Sequence, residues 1–182
     1  MVLEDPKAKD ILRILATGAL LSMAILAPNA PASLFASHKP WKKYKRNRLR
    51  QVIKRMADQE LVGFREEGKE TIVAISEKGK SKLLKFNFDE MKINDQEDWN
   101  GTWKIVYFDI PETKKLAREL FRKKLKELRF YQLQKSVFIT PYGCKDQIDF
   151  LRSILEIGDF VSYLETENIE QEEFLKSWFE VE

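Results

Sequence analysis

Four side chains in the first half of the chain carry the most readable chemistry. Within residues 44–59, Asn47, Arg50, Gln51 and Lys54 recur at one-, three- and four-residue steps, so a helix would gather them on one face. A guanidinium in that setting can donate two parallel hydrogen bonds to guanine, a carboxamide can pair with adenine, and an ammonium can hold a phosphate. Nine basic residues lie between Lys39 and Arg55 without one acidic residue. Like charges at helical spacing repel one another in water. The segment therefore calls for a polyanion, unless it is a basic helix face without a ligand.

Opposite that face, Leu49, Val52, Ile53 and Met56 stand at i, i+3, i+4 and i+7, the signature of a buried stripe. The elements around this helix follow in order. Ile11, Ile14, Leu15, Leu21, Ile25 and Leu26 predict one buried first helix. A short helix over 31–37 and a turn at Lys39-Pro40-Trp41 lead into 44–59. Residues 61–65 and 71–75 read as strands joined by a turn holding Gly68, and 76–86 as a closing helix. This order is that of a winged helix-turn-helix, placed at residues 1–88. Its candidate DNA-binding residues are Lys43, Tyr44, Arg46, Asn47, Arg50, Gln51, Lys54 and, in the wing, Lys69. Glu66, Glu67 and Glu70 surround Lys69, so the wing is expected to grip phosphates weakly.

Charge divides the chain in the same sense. Residues 1–92 carry 19 Lys/Arg against 11 Asp/Glu, whereas residues 93–182 carry 13 against 18. The first half suits a polyanion and the second another task. Cys144 and His38 are the single cysteine and histidine, which excludes an intrachain disulfide and a Cys/His zinc site. A reducing cytoplasm fits this usage. The uncharged run from Ile14 to Ser37 superficially looks like a signal peptide or a short membrane span. Acidic residues ahead of it and Pro28 and Pro31 within it favour a buried helix instead, with no membrane association.

Residues 89–100 are polar and form the expected linker. Beyond it, 103–110 reads as a buried strand, 113–128 as a helix, 130–133 and 135–140 as strands, 145–157 as a helix and 160–164 as a strand. The series βαββαβ over 101–182 predicts a ferredoxin-like domain, making the whole an α+β protein. The acidic tail, 166–182, is expected to be helical. Its Phe174, Leu175, Trp178 and Phe179 need a surface, for which a partner subunit or the other domain would serve.

Three stretches carry a family resemblance: Trp103 to Glu112, Arg118 with Leu120 to Leu125, and Gln134 to Tyr142. They resemble the central domain of the PaaX-like transcriptional regulators, whose founding type represses phenylacetate degradation genes. That domain is in turn similar to the small dimeric CRISPR-associated protein of spacer acquisition. The resemblance implies a winged helix joined to a ferredoxin-like domain. It also implies a homodimer acting as a repressor on a pseudo-palindromic operator of double-stranded DNA. An acyl-CoA effector is implied by resemblance only, and no cofactor is expected.

The alternative is a metal-dependent nuclease or adaptation-type nucleic-acid-processing protein. Asp109 matches the acidic residue of the CRISPR family and would hold Mg²⁺ across a dimer. The plainer expectation is that Asp109 caps the following helix. A basic stripe of Lys115, Arg118, Arg122, Lys126 and Arg129 is either a second DNA surface, a solvated face, or the partner of the acidic tail.

Overall fold

The computed structural model describes residues 3–27, 29–31, 39–95 and 99–182. His38 and all but the first residue of the helix expected over 31–37 lie outside them. The chain divides into two compact units at Asp89/Glu90, and no helix of the described residues is long and apolar enough to cross a membrane.

In the first unit, helix α1 (Ala8–Ala16) buries Ile11, Leu12 and Leu15. It stops where the Thr17 hydroxyl donates to the Ile14 carbonyl at 2.8 Å and Gly18 turns to φ +80°, a conformation open to glycine. The single long first helix expected from the apolar run is therefore two helices. Leu21 and Ser22 are extended between them, and the Ser22 hydroxyl accepts from Ala24 N–H at the start of α2 (Met23–Leu26). Trp41, fully buried, donates its indole N–H to the Leu20 carbonyl at 2.7 Å and fixes this linker from below.

Helix α3 (Arg46–Asp58) buries Leu49, Val52, Ile53 and Met56, the four residues of the apolar stripe. Glu60, at φ 60°, reverses the chain after it, and Leu61 N–H returns to the Met56 carbonyl at 2.8 Å. Strands β1 (Val62–Glu67) and β2 (Glu70–Ile75) then pair antiparallel across Gly68-Lys69. Gly68 takes φ +65°, as a tight hairpin turn requires. Val73 N–H donates to the Leu21 carbonyl at 2.9 Å and Ser22 bridges Ile72, so the segment between α1 and α2 extends this small sheet. Ser76 caps helix α4 (Glu77–Asp89) by accepting from Gly79 N–H at 2.9 Å, and donates to the Glu60 carbonyl at 2.6 Å.

The second unit runs β3 (Trp103–Phe108), a 3-10 turn (Glu112–Lys114), α5 (Lys115–Glu127), β4 (Tyr131–Gln134), β5 (Val137–Thr140), α6 (Lys145–Ile154), β6 (Val161–Thr166) and α7 (Glu172–Phe179). Its sheet has the order β4-β5-β3-β6 with every pairing antiparallel, the ferredoxin-like arrangement. Side chains of β3 alternate between two buried faces. Phe108 meets Phe121 of α5 at 5.3 Å between ring centroids and Phe138 of β5 at 6.0 Å on one face.

Trp103 faces the other way and packs on Phe179 of α7, at 5.9 Å. Tyr131 meets both Phe174 and Trp178, while Leu175 is fully buried. The acidic tail thus finds a surface on its own sheet. The reason is that strands buried on both faces leave Trp103 and Ile139 apolar on the side away from α5, and α7 covers them.

Candidate nucleic-acid interface

Because the apolar stripe of α3 faces the core, its other side is presented to solvent. Asn47, Arg50, Gln51 and Lys54 are all exposed there. Arg50 and Lys54 have no acidic partner among the described residues, whereas Gln51 accepts from Arg48 at 3.3 Å. Two free cations and two carboxamides therefore occupy one face.

The flanks are less available than the spacing suggests. Arg46 is half-buried and donates to the Ala30 carbonyl at 2.6 Å, which ties the helix start to the preceding segment. Lys43 lies 3.8 Å from Glu4, and Lys45 lies 3.6 Å from Asp5. Backbone bonds hold these acids in place, since Glu4 N–H donates to the Lys43 carbonyl at 2.8 Å and Lys45 N–H to the Glu4 carbonyl at 3.2 Å. Tyr44 is corrected outright: at 1% exposure it is a core residue, its side chain turned inward with Trp41, and it presents nothing to a ligand.

The hairpin stands beside this face. Lys69 is exposed at its turn, but Arg65 pairs with Glu67 at 2.8 Å and Glu66 accepts from Thr71 at 2.9 Å, so the cationic part of the tip is small. Between hairpin and helix runs a groove of about 840 Å³, lined by Asn47, Arg50, Gln51, Lys54 and Asp58 together with Met23, Ile53, Ala57 and Phe64. The sequence reading missed Phe64 and Met23. Phe64 lies in the stretch read there only as a strand, yet it is 50% exposed although its cross-strand partner Val73 is buried.

The second candidate surface is largely neutralised. Lys115 and Arg118 reach Glu112 at 3.4 and 2.7 Å, Arg122 reaches Glu119 at 3.6 Å, and Arg129 reaches Asp95 at 3.2 Å. Arg118 holds the Glu112 carboxyl below the usual carboxylate range by hydrogen bonding and charge. Among the described residues of the stripe, Lys126 alone makes no ion pair. These partners are Glu112 and Glu119, on the helix and its approach, and Asp95 of the linker; among the described residues the acidic tail, one of the alternatives for this stripe, supplies none of them. Lys115 and Arg122 find their partners at i, i+3 spacing on the helix and its approach.

Asp109 is exposed beyond the end of β3, where its N–H donates to the Phe160 carbonyl at 2.9 Å. It is not a helix cap. Pro111 precedes the 3-10 turn in extended conformation with no side chain accepting at that start, and Ile110-Pro111 carries Asp109 away from the free N–H groups. Among the described residues no group of three or more His, Cys, Asp or Glu is placed to hold a metal ion. Cys144 is 1% exposed and burial pushes its thiol up to about 12, so it is no nucleophile at neutral pH. Lys104, also buried and with its pKa lowered by that burial, donates to Asn100, Thr102 and Pro141 oxygens at 2.9, 2.7 and 3.1 Å. It is a structural clamp between two loops.

The second unit is thus a ferredoxin-like module with helices and a tail on opposite faces of one sheet. Residues 96–176 match the family described as the PaaX protein central Cas2-like domain. This match agrees with the resemblance to the PaaX-like regulators carried by Trp103 to Tyr142. No curated protein matches the chain.

Proposed function

We propose that the first unit is a winged helix-turn-helix that binds double-stranded DNA, with α3 as the recognition helix and β1-β2 as the wing. The observation that carries this reading is the exposed set Asn47, Arg50, Gln51 and Lys54 on the face of α3 opposite its buried stripe. An α-helix fits the major groove, and these side chains supply donors for guanine, paired donor and acceptor groups for adenine, and charge for phosphate. Lys69 adds a minor phosphate contact from the wing.

The protein is then a transcription regulator of the repressor kind, cytoplasmic, reading a pseudo-palindromic operator as a homodimer through its Cas2-like domain. The PaaX-like central domain supports this reading. It needs no cofactor, and a small-molecule effector, acyl-CoA by resemblance, would release it from DNA. The nuclease alternative rests on Asp109 and Mg²⁺ alone, and among the described residues no group of three or more His, Cys, Asp or Glu joins it. Sequencing genomic fragments retained by the purified protein tests the proposal. One enriched inverted repeat is expected, and retention without any shared sequence would contradict it.

A further inference from the structure

We infer that Phe64 reads a thymine 5-methyl group in the major groove beside the bases addressed by Arg50 and Asn47; this rests on the DNA-binding reading above. Phe64 leaves half of its ring surface open to solvent on the strand, an apolar face that a ligand can cover with gain. Its place is fixed. Phe64 pairs across the hairpin with Val73, which is 2% exposed, and Val73 N–H is bonded to the Leu21 carbonyl at 2.9 Å. The ring consequently borders the groove of about 840 Å³ between wing and α3, with Met23 and Ala57 continuing its apolar surface.

The same groove is bordered by Arg50 and Asn47, whose polar groups suit base edges and phosphates. What Phe64 adds is an uncharged patch next to them, while the charged tip of the wing is spent on the Arg65–Glu67 pair. The thymine methyl is the one apolar group on the major-groove edge of DNA. Arg50 and Lys54 beside the patch, against Asp58 alone, and the lack of charge within it match a thymine flanked by phosphates.

The test uses the full chain and the duplex it selects from genomic DNA, with affinities measured by fluorescence anisotropy. Replacing the contacted thymine by uracil should weaken wild type about fourfold, the effect of one methyl group. Phe64→Ala should bind about tenfold more weakly and be indifferent to the same replacement, while Phe64→Leu recovers part of the loss. Thermal melting of both variants confirms that they fold. Equal uracil sensitivity in wild type and Phe64→Ala overturns the inference, as does wild-type affinity in Phe64→Ala. A loss in Phe64→Ala with no uracil effect in wild type places the ring against sugar and overturns the thymine assignment. Wild type that prefers no duplex at all removes the DNA-binding reading itself, a result distinct from these.

Discussion

Gly79 lies so close to the Leu61 carbonyl that a Cβ added to it would stand 2.0 Å from that oxygen. The approach lets α4 pack over the start of β1, with Ser76 bonded to Glu60 beside it. The obstacle is backbone, which cannot rotate away. Gly79→Ala is expected to destabilise the first unit by roughly 3 kcal/mol or more, despite alanine's better helix propensity. Urea denaturation measures this, and an unchanged midpoint would show that α4 sits farther from Leu61.

In the second unit, Leu175 is fully buried between α7 and the sheet. Leu175→Ala should cost on the order of 2–5 kcal/mol, the range for emptying a packed leucine site. It should also shift tryptophan emission to the red, because Trp103 and Trp99 lie in the same cluster. A loss below about 1 kcal/mol, less than that range, would mean that α7 is not docked on this sheet.

Tyr44 gives a prediction of the opposite sign. Among the described residues its hydroxyl is buried without a hydrogen-bond partner, and such a group is a net cost to the folded state. Tyr44→Phe should leave stability equal or raise it by up to about 1 kcal/mol, with DNA affinity unchanged. A marked loss of DNA binding in a folded Tyr44→Phe protein would restore Tyr44 to the interface.

Much of the architecture was legible in local patterns. The stripe Leu49, Val52, Ile53 and Met56 decided both the existence and the orientation of α3, since one period sets which side is buried. Gly68 between alternating segments marked the hairpin, and the βαββαβ series followed from its periods. What escaped depends on partners distant in sequence. Leu21 is buried because its carbonyl bonds Val73, a pairing that no helical period reveals. Glu4 and Asp5 neutralise lysines some forty positions away, and Tyr44 turns inward because the backbone at Lys43 and Lys45 is bonded to Glu4. The docking of α7 likewise required knowing that both sheet faces were apolar.

The most direct measurement of the central claim is an anisotropy titration of the selected duplex with Arg50→Ala/Lys54→Ala and with Lys69→Ala. Arg50 and Lys54 are exposed and unpaired on α3 among the described residues, whereas Lys69 stands at a wing tip crowded with carboxylates. The double variant should fall to the affinity of an unrelated duplex, and Lys69→Ala should stay within about twofold of wild type. Lys69→Ala weakening binding more than the double variant would contradict the assignment of α3 as the recognition helix.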